Sequence, residues 1–186
     1  MKQVLGADWE RLPPALQAHY RDDGARDLGQ LNIAFPGCLL PLLWAMRLVG
    51  ALVHRRGNAV ETTVHKLAEG GREHWRRTLR YADGRVLHFD SYRVAAGAGR
   101  LIEFVNPVLG LELALHVVGE ELHCSGTRMV ARLGPWLLTV PEWLVLGHTT
   151  IVERAVDGQR YTMDFRMTHP LLGELFRYAG QFEADV

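Results

Sequence analysis

Four turn dipeptides divide the second part of the chain into short segments, and they constrain its fold more than any other feature. They are Gly70-Gly71, Asp83-Gly84, Gly119-Glu120 and Asp157-Gly158, each flanked by strand-like runs. Such dipeptides are typical of two-residue β-hairpin loops, because those loops need residues that tolerate a positive φ. From Asn58 onward we therefore expect successive antiparallel strands in a sheet that curls or closes.

The first 57 residues have a different character and predict two helices. Prolines in a first turn favour a helix from Ala15 to Asp22. After a short strand from Leu31 to Phe35, an apolar run predicts a second helix from about Leu39 to Val53. We expect one α+β domain over residues 1–186 that is mainly antiparallel β. Its architecture should be a strongly curved sheet or a lipocalin-like barrel with two N-terminal helices.

The apolar run from Cys38 to Val53 is too short for a transmembrane helix, which needs roughly 20 apolar residues. Pro41 and Arg47 also interrupt it. No membrane span is therefore predicted. Two interpretations stay open: a buried core helix, or a lid or membrane-touching helix beside an apolar pocket.

The composition excludes several classes of protein. Lys plus Arg and Asp plus Glu both number 21, and this balance argues against nucleic-acid binding and against electrostatic docking on an anionic membrane. The two cysteines form no CxxC pair, and the start of the chain has no signal-peptide pattern. We expect reduced thiols and a cytoplasmic location.

A two-residue loop at Asp83-Gly84 would place Arg77 opposite Asp90. Side chains alternate along strands, so one face would collect apolar and aromatic groups around this ion pair. We expect that face to line an enclosed cavity, because a packed core avoids charges whereas a binding cavity combines apolar walls with a few polar groups. Its members would be Val60, Thr62, Val64, Trp75, Arg77, Leu79, His88, Asp90 and Tyr92.

Three residues are candidates for chemistry in that cavity. Arg77 could orient an anionic or carbonyl ligand or stabilise negative charge, and Asp90 or Glu103 could transfer protons. The alternatives are a structural cross-strand ion pair and, for Glu103, an edge position or a partner for a nearby arginine. The expected ligand contacts are Trp75, Tyr92, His88, Leu79, Val64 and Tyr178.

A cofactor is not indicated by the sequence. No GxGxxG follows a predicted strand, so dinucleotide binding is not expected. His116 should face His123 across the Gly119-Glu120 turn with Glu112 nearby, but no further ligand is evident. We therefore expect no metal.

Several short motifs, in this order, resemble the domain of unknown function 4166 family. They are Trp75-x-Arg77, Ser91, Leu101-Ile102-Glu103, and Pro170-x-x-Gly173 through Tyr178-x-Gly180. The resemblance covers nearly the whole chain and places Arg77 on a family element. It implies no assigned activity, because the family has none. It also implies that related domains occur alone or fused behind a dehydrogenase-like domain.

Three classes of function follow from these observations. The first is a module that binds a small, mostly apolar molecule in the cavity. The second is a cofactor-independent enzyme, such as a cyclase, an isomerase or an epoxide-opening catalyst. The third, which rests on the resemblance alone, is an interaction module for a separate reductase.

Overall fold

The computed structural model describes residues 1–21, 24–48, 50, 53–144 and 147–184. It confirms the predicted fold class, since the chain is mainly antiparallel β with few helices. Ten of its strands close into a barrel.

The helices and strands follow one another along the chain with short connections. The α-helices are α1 (Lys2–Leu5), α2 (Pro14–His19) and α3 (Leu40–Leu48), with 3-10 turns at Gly6–Arg11, Gly37–Leu39 and Glu142–Leu144. The strands are β1 (Arg26–Ala34), β2 (Gly57–Glu69), β3 (Arg72–Arg80), β4 (Val86–Gly97), β5 (Arg100–Phe104), β6 (Leu109–Val118), β7 (Glu121–Leu133), β8 (Trp136–Pro141), β9 (His148–Ala155), β10 (Arg160–His169) and β11 (Gly173–Ala184).

Three pairings close the barrel. Strand β1 pairs with both β2 and β11, and β6 pairs with β7. Strand β7 changes partner along its length: Leu122–Ser125 pairs with β9, whereas Arg128–Leu133 pairs with β8. Strand β8 therefore lies outside the closed ring, as an arm attached to β7 alone.

The N-terminal segment closes one end of the barrel, which we call the closed end. The Gly99 amide donates to the Val4 carbonyl, the Met1 amino group pairs with Glu73, and α2 packs against β9, β10 and β11. We call the opposite end the mouth, formed by the described residues of segments 35–56, 81–85, 105–108, 132–147 and 170–172. Helix α3 lies at the mouth and buries its own Leu43 side chain toward the barrel.

The N-terminal part contributes more to the sheet than its sequence predicts. Strand β1 runs over Arg26–Ala34 instead of Leu31 to Phe35, and it lies between two strands of the second part. Both predicted helices are shorter: α2 ends at His19 and α3 at Leu48. Residues 22–23, 49 and 51–52, to which those helices were expected to extend, lie outside the described residues. The assignment of one domain over 1–186 stays a prediction.

Two of the four predicted registers are confirmed. Across Gly70-Gly71, Lys66 pairs with Trp75, and across Gly119-Glu120, His116 pairs with His123.

The other two registers are wrong by one residue. At Asp83-Gly84 the loop has three residues, because Tyr81 still bonds Arg85 and only Gly84 adopts a positive φ. A two-residue type I′ turn would need a positive φ at Asp83 as well. At Asp157 the side chain accepts hydrogen bonds from the amides of Gln159 and Arg160, and this also makes a longer loop.

A one-residue slip turns every side chain of a strand to the other face. As a result, Arg76 faces Asp90 and Arg77 faces Phe89, so the predicted Arg77–Asp90 pair is wrong.

Within the described ranges, no helix is long and apolar enough to cross a membrane.

Candidate ligand-binding cavity

The barrel encloses a cavity of about 130 Å³. Most of its wall is apolar, with residues such as Ile33, Leu79, Phe165 and Phe182. It extends from His19 near the closed end to Met46 of α3 at the mouth. Two clusters of polar groups lie at this wall near Trp75, and the members that line the cavity itself are His19, Tyr161, Arg77, Arg93 and Glu103.

The first group, which we call the histidine cluster, consists of His19, Asp27, Lys66 and Tyr161, and it lies where α2 meets the barrel. Asp27 Oδ2 lies 2.5 Å from His19 Nδ1, 2.9 Å from Lys66 Nζ and 3.0 Å from the Tyr161 hydroxyl. Lys66 Nζ also donates to the His19 carbonyl oxygen. All four side chains are buried, so these contacts replace the water that each group loses.

Burial and neighbouring charges set the protonation of this cluster. Burial lowers the pKa of His19, and the positive charge of Lys66 lowers it further. Burial opposes ionisation of Asp27, but the hydrogen bond from His19 together with the charge and hydrogen bond of Lys66 outweighs it and lowers the pKa of that carboxyl. The cluster therefore holds an ionised Asp27 against a neutral imidazole at neutral pH. In that state Nδ1 donates to Asp27, and Nε2 is left as an acceptor.

The second group, which we call the arginine cluster, consists of Arg77, Ser91, Arg93 and Glu103 on β3, β4 and β5. Arg77 Nη2 donates to Glu103 Oε1 at 3.0 Å, and Ser91 Oγ donates to the same oxygen at 2.6 Å. Arg93 Nε and Nη2 both lie 3.1 Å from Glu103 Oε2. Burial opposes ionisation of Glu103, but the two arginines outweigh it and bring its pKa to about 2. Glu103 is therefore held as an anion and is poorly suited to transferring protons near neutral pH.

Trp75 lies between the two clusters. Its ring centroid is 3.8 Å from Arg93 Cζ and 5.5 Å from Lys66 Nζ, and the His19 ring centroid is 5.1 Å away. Close by, the Tyr20 hydroxyl donates to Glu153 Oε2 at 2.7 Å. Glu153 Oε1 lies 3.8 Å from His19 Nε2, beyond hydrogen-bond distance.

Buried polar atoms without a hydrogen-bond partner are concentrated here. Among the described residues, His19 Nε2, Trp75 Nε1 and Arg93 Nη1 have none, although all three residues line the cavity. Leaving a buried polar group unpaired costs about 1–3 kcal/mol, so native proteins rarely do so without a reason.

Glu142 is a further polar group on the cavity wall, placed where β7 changes partner. Its Oε1 accepts the Thr149 amide at 3.0 Å, while Oε2 is buried without a partner among the described residues. Burial raises the pKa of this carboxyl. The carboxyl occupies the space that a side chain would fill at Gly126, which explains the glycine there.

The residues predicted from the sequence divide between the two faces of the barrel wall. The cavity is lined by Val64, Trp75, Arg77, Leu79, Glu103 and Tyr178, together with Thr62. Val60 is buried in the same core. His88 and Asp90 are exposed on the outer face, and Tyr92 belongs to a separate outer cluster with Phe104 and Val130. The corrected register at Asp83-Gly84 accounts for all three displacements.

Sequence reasoning missed most of the polar residues of the cavity. The registers at Asp83-Gly84 and Asp157-Gly158 are each one residue away from the prediction, and these registers place Arg93 and Glu153 on the inner face. Three-residue loops at both turns would have predicted both positions. Lys66 was expected on the correct face but was given no role. No local pattern brings His19 close to Asp27, because they meet only when α2 docks on the barrel.

The predicted histidine pair forms on the outer face. The ring centroids of His116 and His123 are 5.5 Å apart. Glu112 is engaged by Arg100 and Arg128, at 3.4 Å and 3.1 Å. The part of the chain that the structure describes contains no group of three His, Cys, Asp or Glu side chains arranged to hold a metal. The absence of a metal stays a prediction.

Comparison with known proteins supports the fold and the family. The crystal structure of Rv2717c from M. tuberculosis superposes with a TM-score of 0.51 and 16% sequence identity, covering 94% of this chain and 99% of that chain. Identity this low shows a shared fold alone. No curated protein matches the sequence. Residues 12–182 match the family described as Domain of unknown function (DUF4166), and because this match spans most of the chain, the protein belongs to that family.

Proposed function

We propose that the barrel binds a small, mostly apolar molecule that carries an oxygen-bearing polar end. The apolar part would lie along the wall formed by residues such as Leu79 and Phe165, and the polar end would point toward Trp75. The observation that carries this proposal is the pair of unpartnered buried donors, Trp75 Nε1 and Arg93 Nη1.

The chemistry of these atoms defines the polar end of the ligand. Trp75 Nε1 and Arg93 Nη1 are donors, so they require an acceptor oxygen such as a carboxylate or a carbonyl. An ammonium group cannot accept a hydrogen bond from either donor, so it would leave both atoms unpartnered. The mixture of apolar walls with a few converging polar groups is typical of small-molecule sites.

Octanoate and octylammonium test this proposal, because they share a chain and differ in the charge of the head. Isothermal titration calorimetry should show octanoate binding to the wild type and much weaker binding of octylammonium. Trp75→Phe removes the indole N–H and keeps most of the ring, so we expect at least a tenfold loss of octanoate affinity, or about 1.4 kcal/mol.

Trp143→Phe is the matched control, because Trp143 is exposed and does not line the cavity. Its octanoate affinity should equal that of the wild type. Equal binding of both amphiphiles, or a folded Trp75→Phe variant with unchanged affinity, would contradict the proposed orientation of the ligand.

The histidine cluster supports a second candidate function, proton transfer without a cofactor. Asp27 fixes His19 Nδ1 and leaves Nε2 as a base beside the cavity, an arrangement that favours general-base catalysis. Nε2 would take a proton from a carbon next to a carbonyl group, while Arg93 and Trp75 hold the oxygen that becomes negative. The protonated imidazole would return the proton to that carbon or to a conjugated one. This proposal assigns to His19 the role that the sequence suggested for Asp90 or Glu103.

Exchange of the α-hydrogens of 2-octanone in heavy water, followed by NMR, tests proton transfer. The wild type should accelerate exchange over buffer, and His19→Gln should lose at least tenfold of that acceleration. His116→Gln, on the outer face, should retain it. Exchange at the buffer rate with the wild type, or at the wild-type rate with folded His19→Gln, would exclude this candidate.

A separate reductase as partner stays a prediction that no contact in the structure addresses.

A further inference from the structure

Helix α3 exposes an apolar surface at the mouth of the barrel. Leu43 is 2% exposed and faces the core, and Met46 lines the cavity. The remaining large side chains point outward: Trp44 is 54% exposed and Leu48 is 87% exposed. The helix therefore has apolar groups on both its inner and outer faces, whereas a surface helix of a globular protein is usually polar on the outside.

The β8 arm adds a second exposed apolar surface at the same end. Strand β8 pairs with β7 alone, so neither of its faces is covered, and every residue from Trp136 to Pro141 is exposed. Trp136 is 72% exposed, and Leu137 and Leu138 are about half exposed. After β8, Trp143 and Leu144 continue this surface.

Strand pairing places these surfaces at one end of the molecule. Ile33, near the end of β1, pairs with Gly57 at the start of β2, so α3 lies between them at the mouth. Ala131, near the end of β7, pairs with Leu109 at the start of β6. The β10–β11 turn lies at the mouth too, and it exposes Leu171 and Leu172 to 87% and 67%. Three separate chain segments thus project apolar tips in the same direction.

Basic residues accompany these apolar tips. Among the described residues of the mouth, the only acidic ones are Asp83, which pairs with Arg55 at 2.7 Å, and Glu142, which is buried. The arginines of the mouth are Arg47, Arg55, Arg56, Arg85 and Arg132. The mouth therefore carries a positive excess, although the chain as a whole has a net charge of zero. A whole-chain balance does not report where the charges lie.

We propose that the mouth docks on the surface of a lipid bilayer with anionic headgroups. Tryptophan side chains favour the headgroup region, leucines favour the acyl chains beneath it, and arginines attract the lipid phosphates. Separate protruding tips can each enter a fluid surface, whereas a rigid partner protein would need a matching depression for every tip. Docking in this orientation places α3 and the cavity beneath it against the lipid. The proposal rests on the mouth surface and holds whether or not the cavity binds a ligand.

Co-sedimentation with vesicles tests the proposal. The full chain should sediment with vesicles of phosphatidylcholine mixed with phosphatidylglycerol, and binding to phosphatidylcholine alone should be at least tenfold weaker. Trp136→Ser combined with Leu171→Ser should reduce binding to the mixed vesicles at least tenfold. Both side chains are highly exposed, so the fold should be unaffected. Arg47→Glu should weaken binding to the mixed vesicles and leave binding to neutral vesicles unchanged.

Val118→Ser combined with Val156→Ser is the matched control, because both valines are about half exposed at the closed end. This variant should bind like the wild type. A wild type that does not sediment with either vesicle would overturn the proposal. It would also be overturned if the mouth and closed-end variants lost binding equally. Sedimentation velocity without lipid tests whether a second copy of the chain binds the mouth instead. A wild-type dimer that Trp136→Ser combined with Leu171→Ser abolishes would assign this surface to a second copy.

Discussion

Glu103 shows how two arginines can keep a mostly buried carboxylate ionised inside a mostly apolar barrel. Its two oxygens accept hydrogen bonds from Arg77, Ser91 and Arg93, and its side chain is 14% exposed. Buried ion pairs of this kind add little net stability compared with apolar packing, but removing one member leaves a charge uncompensated. The arginine cluster has two cations and one anion, and Glu73 and Glu153 supply further negative charge near Arg93.

The low pKa of Glu103 predicts how the stability of the barrel depends on pH. A folded-state pKa of about 2, below the ordinary 4.5, means that this group stabilises the fold above pH 4.5. That contribution, about 3 kcal/mol, is lost as the pH falls from 4.5 through 2. Chemical unfolding at pH 7, 4 and 3 should therefore show that the difference between the wild type and Glu103→Gln shrinks as the pH falls.

Glu61→Gln, an exposed change on β2, is the control and should follow the wild type at every pH. If Glu103→Gln does not fold, the carboxyl carbon shifts of the wild type provide the measurement, since Glu103 should still be ionised at pH 3. A protonated Glu103 at that pH would contradict the prediction.

At the scale of elements, the sequence predicted the strands better than their faces. The alternation of apolar residues and the turn dipeptides were sufficient for β2, β3, β6 and β7. The loop length at an Asp-Gly pair depends on whether one or two residues adopt a positive φ, and the dipeptide itself does not determine this. Because the loop has three residues and not two, Asp90 lies outside the cavity and Arg93 lines it, opposite to the prediction for Asp90.

The contact between β1 and β11 gives a prediction at the element scale. At Gly180, an added Cβ would lie 1.9 Å from the Gln30 carbonyl oxygen, a backbone atom that cannot move independently of its strand. Gly180→Ala should therefore force the two strands apart and destabilise the fold by about 1–3 kcal/mol. Thermal unfolding measures the effect.

Gly158→Ala is the matched control, since nothing lies within 4 Å of its added Cβ. It should unfold within a few degrees of the wild type. Equal unfolding temperatures for the two variants would show that the barrel accommodates the extra methyl group, against this prediction.

At the scale of the whole molecule, the sequence was sufficient for the curled antiparallel sheet but did not reveal how it closes. Hairpins follow from local turns, and they connect β2 to β7 in order. The docking of α2 and the pairing of β1 join residues far apart in the chain, so no local pattern reports them. The histidine cluster depends on both, and it therefore becomes visible only in three dimensions.

The pairing of β1 with β11 has a consequence for synthesis of the chain. Among the described strands, a ribosome produces β1 first and its partner β11, residues 173–184, last. Until then the sheet stays open between β1 and β10, and its inner apolar face is exposed to other nascent chains. Contacts between residues so distant in sequence also form slowly. Closure thus waits for β11, and a nascent chain stalled before β11 presents two unpaired strand edges, on β1 and β10, that favour aggregation or recognition by a chaperone.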